Sequence, residues 1–373
     1  MTKSGGGELK TATLSSVAEA NRAVIVATLR EHGPMSRKEL TERTGLSTAT
    51  VNRLVGALRA SRLVTETELG ASTGGRPPQI IQFNAAAQSV LAFDIGAKRT
   101  TGAIVDLENR VLHREEWDNE PGGDGSMHVY ERLLRFCGEL SDRATAVGSP
   151  AGAIGVSVPG VVRDDTGMVE FAPALRWWSM PIGRLLAERI GLPVLAENNV
   201  NVLALAEHRH GAGRGVDDLA MIVRGAGVGA GLILGGRPHR GFRGGAGEIG
   251  YMLMEPSSLD RPWPGYGDLD LRLGLETTAP AHDDGGREAV TPARDGLVDQ
   301  LALAVANLSV VVSPELVVLG GALGDRPEAL ATRVSERLVG RIPTPPRIVV
   351  SRMVDAGLIG AAEMAMEGIP TQA

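Results

Sequence analysis

Leu195-Ala196-Glu197-Asn198-Asn199-Val200-Asn201 is the stretch on which the reading of this chain turns. It follows the apolar run Leu192-Pro193-Val194-Leu195 and enters a helical pattern from Val200 to His208. In α/β proteins, polar groups at the carboxyl end of a strand, where a helix begins, are where ligands sit. A helix cap would use one Asn. One carboxylate and three carboxamides within five positions point instead to a site.

Around this stretch lie 373 residues, more than one hydrophobic core usually serves, so two or three domains are expected. A hydrophobic content of 43% and a charged content of 22% describe a soluble globular protein. Cys137 is the one cysteine, which excludes an intramolecular disulfide and any Cys-rich metal site. The N-terminus has no apolar core for a signal peptide, and no run is long enough to span a membrane, so a cytoplasmic location without membrane partners is expected. Residues 1–90 carry a net +4 and the remainder −10, within a whole-chain −6. A basic N-terminal segment on an acidic body fits a nucleic-acid-binding module on a carrier. Aromatic residues, at 3%, are too few for a single-strand stacking platform.

The first ninety residues spell out that module. Residues 1–18 read as a disordered tail, and residues 19–84 as a winged helix-turn-helix. A helix is predicted from Glu19 to the Gly33-Pro34 stop. Ser36-Arg37-Lys38-Glu39 has the form of a capping box and opens a second helix. Thr44-Gly45-Leu46 makes a tight turn, and Ser47 caps a third helix in which Val51, Leu54, Val55 and Leu58 form one buried stripe. Ser47, Thr48, Thr50, Asn52 and Arg53 then face outward, as major-groove readers do. Leu63 to Leu69 and Gln79 to Phe83 form a β-hairpin wing, whose tip, Gly74-Gly75-Arg76-Pro77-Pro78, presents Arg76 to a minor groove. The expected partner is double-stranded operator DNA, and paired half-sites imply a homodimer or homotetramer.

The body, residues 88–373, is built on strand–glycine junctions. Ser89 to Gly96 is an apolar strand ending in Asp94-Ile95-Gly96, with a second strand from Thr101 to Asp106. After a helix (Ser126 to Ala144), Ala153 to Val158 is another strand. The loop Pro173 to Pro181 then leads to the strand before Glu197. Gly225-Ala226-Gly227-Val228-Gly229-Ala230-Gly231 reads as a bend into the strand Leu232-Ile233-Leu234; it lacks the Gly-Lys-Ser/Thr ending of a P-loop. Gly244 to Tyr251 clusters glycines around Glu248. A helix from Gly296 to Val312 precedes the strand Leu316 to Leu319 and Gly320-Gly321. Two such hairpins, far apart in sequence, imply two lobes facing one cleft.

On these residues the chain resembles the ROK family of repressors, open reading frames and sugar kinases, and within it the repressor branch. The most specific markers are Gly74 to Pro78, Glu197-Asn198, Gly245 to Gly250 and Gly320-Gly321. The resemblance implies an actin-like two-lobed ATPase fold behind the winged helix. Lobe one would take residues 88–197 and a C-terminal helix at 355–373, and lobe two residues 198–354. It also locates the departures. The family's kinases hold phosphate with Asp-x-Gly-Gly-Thr, where this chain has Asp94-Ile95-Gly96-Ala97-Lys98. Their catalytic Asp is here Asn199, and a carboxamide cannot act as a general base. Zinc ligands of the family become Tyr251, Arg261, Trp263 and Asp268, a poor zinc set. Asp94, Gly96, Gly225, Gly227, Gly320 and Gly321 are thus expected to be vestigial nucleotide-site residues, with no cofactor or metal. Asn198, Asn199, Glu248, Tyr251 and Asp270 would line a pocket for a sugar or sugar derivative, with Trp177 and Trp178 as aromatic candidates. The reading is a carbohydrate-linked transcriptional repressor. The alternatives are a sugar kinase keeping residual phosphotransfer and a ligand-independent regulator whose body only oligomerises.

Overall fold

A computed structural model of the chain describes residues 14–68, 79–119, 125–163, 166–260, 267–275 and 296–369. Helix α1 spans Leu14–His32 and so begins five residues before the predicted start, inside the stretch read as a tail. After β1 (Met35–Ser36), helix α2 (Arg37–Thr44) opens with the predicted capping box. Ser36 Oγ accepts the Glu39 N–H at 3.3 Å, and the Glu39 carboxylate accepts the Ser36 N–H at 2.8 Å. Gly45 ends α2 at a φ of 68°, a left-handed turn that glycine adopts without steric cost. Helix α3 (Thr48–Ala60) is capped by Ser47, whose Oγ accepts the Thr50 N–H at 3.2 Å. Strands β2 (Val64–Glu68) and β3 (Gln79–Phe83) pair antiparallel, with β1 on the far edge of β3. Ile25, Leu29, Leu40, Val51, Leu54, Leu58 and Ile81 make the core. Glu66 on β2 clamps the wing to the helices, pairing with Arg37 of α2 and with Arg59 of α3 at 3.1 Å.

The first lobe carries β4 (Ser89–Ile95), β5 (Arg99–Asp106), β6 (Val111–Asp118), helix α4 (Gly125–Ala146) and β7 (Ala151–Val158). A small antiparallel sheet follows: β8 (Val161–Arg163), β9 (Met168–Ala172) and β10 (Trp177–Met180). Helix α5 (Ile182–Ile190) then occupies an interval for which the sequence pattern predicts no helix, and β11 (Val194–Asn198) completes a sheet of order β11-β7-β4-β5-β6. Strands β4, β7 and β11 run parallel, so Asn198 and Asp94 lie at the same end of the sheet.

Helix α6 (Asn199–His210) crosses to the second lobe. That lobe contains β12 (Leu219–Arg224), β13 (Val228–Leu234), β14 (Arg237–Pro238), α7 (Asp268–Arg272), α8 (Gly296–Val312), β15 (Leu316–Gly321), α9 (Pro327–Leu338) and β16 (Arg347–Val350). Its sheet, β14-β13-β12-β15-β16, repeats the plan of the first, a hairpin joined to parallel strands. Strand β13 starts at Val228, so Gly229 and Gly231 are strand residues and the bend is shorter than the sequence reading. The reason is the crossing helix: a Cβ on Gly231 would lie 2.1 Å from the Val200 carbonyl oxygen.

Helix α10 (Ala356–Glu367) lies between β4, β7 and α6, burying Leu358, Ala361 and Ala365 with Val90, Ala92 and Val202. Its end reaches further. Met366 and Ile369 pack against both this cluster and the winged-helix core, which also takes Leu107 from the turn between β5 and β6. The winged helix is therefore seated on the same helix that packs on α6. Among the described residues no helix is long and apolar enough to cross a membrane.

Candidate functional site

Two regions carry the predicted site residues. On α3 the i, i+3, i+4, i+7 stripe is buried, which forces the opposite face outward. Ser47, Thr48, Asn52 and Arg53 are exposed, and Thr50 is half-buried with its Oγ1 2.9 Å from Ser47 Oγ. Arg53 forms no ion pair among the described residues, unlike Arg59 on the same helix, so its guanidinium is available. The wing tip with Arg76 lies outside the described residues.

The second region is the junction where β11 passes into α6. The four polar residues of that stretch divide into two pairs. Glu197 and Asn201 are internal: the Glu197 carboxylate accepts the Asn198 N–H at 2.9 Å and Asn201 Nδ2 at 3.0 Å, and pairs with Arg240. Asn198 does two things. Its Oδ1 caps α6 by accepting the Val200 N–H at 2.9 Å, and its Nδ2 donates to Glu248 Oε1 at 3.2 Å. Asn199, the first residue of α6, is half-buried, and its side chain has no hydrogen bond among the described residues.

Glu248 brings the second lobe to this junction, and Tyr251 and Asp270 stand with it. Burial pushes the Glu248 carboxyl above the usual carboxylate range, the nearby Asp270 charge adds to this, and the Asn198 bond opposes it. Asp270 is likewise raised by burial, against the backbone N–H groups of Val228 (2.8 Å) and Gly267 that it accepts. Burial and both carboxylates push the Tyr251 phenol up to about 12, so it keeps its proton at neutral pH. The result is a set of acceptors with neutral donors, suited to hydroxyl groups and holding no nucleophile or carboxylate at position 199. Asp268, at a predicted zinc-ligand position, is taken up by the Met254 N–H and Arg272 Nε, each at 2.9 Å. Arg261 and Trp263 lie outside the described residues.

At the other side of the cleft, Asp94 Oδ1 accepts the Ser157 hydroxyl at 2.7 Å, and burial raises the Asp94 carboxyl above its ordinary value. The Gly96–Arg99 turn closes through a 2.8 Å backbone bond, and Asn119 pins it by donating to the Gly96 carbonyl at 2.7 Å. Lys98 is exposed. Gly225 N donates to the Gly227 carbonyl at 2.8 Å, while Gly320 and Gly321 lie in register with Val223 and Arg224 on β12. The six glycine and aspartate positions thus sit on three strand ends, as their spacing predicts. Trp177 is a core residue and Trp178 is exposed, which removes Trp177 from the candidates for sugar stacking.

Residues 90–262 match the profile of the ROK family, and residues 20–71 that of the MarR family. The chain carries a ROK-family body behind a winged helix. Over 240 residues it is 31% identical to the xylose repressor of Caldicellulosiruptor bescii, covering 63% of this chain and 59% of that protein. The matched part spans about 60% of the length of such curated relatives. A crystal structure of a ROK family transcriptional regulator, a homologue of the E. coli MLC protein, superposes with a TM-score of 0.73 at 24% identity, over 93% of this chain and 95% of that one. The ROK family glucokinase of Streptomyces griseus, solved with glucose and AMPPNP, reaches a TM-score of 0.55 at 24% identity, over 75% of this chain and all of its own. At these identities the two structures establish a shared fold.

Three residues of the ROK body at or beside the site escape a reading of the sequence. Arg240 neutralises Glu197 from 43 positions away. Arg224 spans the Gly320-Gly321 junction, donating to the Ala322 carbonyl at 2.7 Å and the Leu273 carbonyl at 3.3 Å. Asn119 supports the Asp94 hairpin from the end of β6. The one available signal was the isolated Arg at the end of the apolar strand Leu219–Arg224.

Proposed function

We propose that this protein is a DNA-binding transcriptional repressor whose ROK body senses a sugar or sugar derivative and does not transfer phosphate. The observation that carries the reading is α3, which presents Ser47, Thr48, Asn52 and Arg53 outward on a capped helix fixed by its own core and by the Glu66 clamp. Major-groove readers have this form, and a wing beside them adds a second contact. The repressor named among the relatives supports the same role.

The effector would lie at Asn198, Asn199, Glu248, Tyr251 and Asp270, where acceptors from both lobes converge. A ligand spanning these residues favours one closure of the lobes, and it shifts DNA binding only by its differential affinity for the two states. Helix α10, packed on α6 and into the winged-helix core, is the element able to transmit that closure. Asn199 places a carboxamide at the family's base position, and Lys98 replaces a hydroxyl in the phosphate turn, so no phosphotransfer follows from binding. A homodimer would set two α3 helices on paired half-sites.

The test is a gel shift with DNA flanking the gene, repeated over a panel of pentoses and hexoses, alongside a coupled ADP-release assay. The expected result is a retarded complex, released by one sugar class, with no ADP formed. Sugar-dependent ADP release, or no retarded complex with any flanking fragment, overturns the reading.

A further inference from the structure

A cavity of about 860 Å³ opens where the C-terminal end of α6, helix α9 and the edge strand β16 meet. It lies at the other end of α6 from Asn198, roughly 17 Å along the helix axis at 1.5 Å per residue. Glu248, Asp270, Asp94 and the glycines of the two hairpins do not line it. Its size falls within the range of small-molecule sites.

The walls are rich in acceptors. Glu207, Glu328 and Glu336 face one guanidinium, Arg352, which is 3.5 Å from Glu328. The Thr332 hydroxyl donates to the Glu328 carbonyl at 3.0 Å, leaving its lone pairs to accept. Glu207 is fully buried, and its carboxylate is met only by neutral donors, the Ser351 hydroxyl and the Ala212 N–H at 2.8 Å. Three carboxylates against one cation favour an occupant that brings positive charge and N–H donors.

The cavity is also tied to the winged helix. His210, on its wall, is 2.8 Å from Glu363 of α10 and 3.3 Å from Asn109 in the turn after β5. Asn109 stands two positions after Leu107, and Glu363 three positions before Met366. Leu107 and Met366 both pack into the winged-helix core. Pressure on His210 thus reaches that core along two short segments.

We propose that this cavity is a second effector site, taking a small organic amine and reporting its occupancy to the winged helix through His210. The full-length protein is titrated by calorimetry with cadaverine and with glucosamine, glucose serving as the neutral control. Thr332→Trp fills the cavity from an exposed helix position and is expected to weaken amine binding by about tenfold or more, because the filled volume excludes the ligand. Glu336→Gln, which keeps the shape and removes a charge, weakens it less, and guards against a folding defect in the Trp variant. Asn198→Ala leaves amine binding unchanged, which separates this site from the interlobe pocket. Hydrogen exchange in α1 to α3 changes on adding amine to the wild type and not to Thr332→Trp. Absence of binding by either amine overturns the proposal. So does binding lost in Asn198→Ala but kept in Thr332→Trp, or glucose binding as tightly as glucosamine in this cavity. Amine binding without any exchange change in the winged helix overturns the relay.

Discussion

Helix α3 and the Asn198–Glu248 cluster are built in opposite ways. The outward side chains of α3 hold nothing else together: Arg53 is exposed and free of ion pairs among the described residues, while a separate stripe carries the fold. In the cleft the same side chains do both jobs. Asn198 caps α6 while reaching Glu248, and Asp270 accepts two backbone N–H groups while standing beside Tyr251. A DNA-reading surface can therefore vary without cost to stability, whereas the proposed pocket cannot.

Substitutions test that contrast. Asp270→Ala has the largest expected effect, because it strands the Val228 and Gly267 N–H groups; each buried unpaired donor costs about 1–3 kcal/mol. Urea denaturation measures it, and an unchanged midpoint would show that Asp270 is not structural. Next is Arg53→Ala, for which operator binding should fall by about 1–3 kcal/mol, the usual worth of a base-reading Arg. Its melting temperature should stay at the wild-type value, and a drop there would erase the distinction between the two regions. Asn198→Ala removes a helix cap worth about 1 kcal/mol. It should lower stability and sugar response together, so a variant losing only one of them would divide the roles combined here.

The smallest effect concerns pH. Burial raises the Glu248 carboxyl in the folded chain, so the native state binds a proton that the unfolded state releases. Its contribution is fully present below the ordinary glutamate value and is lost as pH rises through the raised native value. Glu248→Gln, which cannot ionise, should accordingly be more stable than wild type at neutral pH, with the gap closing in acid. Thermal melts across that range check the sign, and a gap that widens in acid would mean that Glu248 is held ionised by a cation.

How much was legible followed the range of the interactions. Ser36-Arg37-Lys38-Glu39, Gly45 and the Val51–Leu58 stripe are read correctly because capping and helical periodicity act within a few residues. The start of α1 at Leu14 departs from the pattern by five residues, as apolar periodicity there gives no stop signal before Glu19. Helix α5 is hidden behind Pro181, which caps no side chain and leaves a loop-like run before it. The start of β13 at Val228 is masked by its glycines, which serve the approach of α6 and not a bend.

The opening stretch shows the division most clearly. Order along the chain by itself determined that Glu197 to Asn201 would join a strand to a helix, because the apolar run and the Asn cap are local signals. It equally determined that position 199 carries a carboxamide. Only the tertiary structure decided which of the four polar groups face a ligand. Glu197 is claimed by Arg240 and Asn201, whereas Asn198 meets Glu248 from the other lobe. A buried carboxylate must find its partners wherever the fold brings them within about 3 Å. That pairing spans more than forty residues, and no local pattern encodes it.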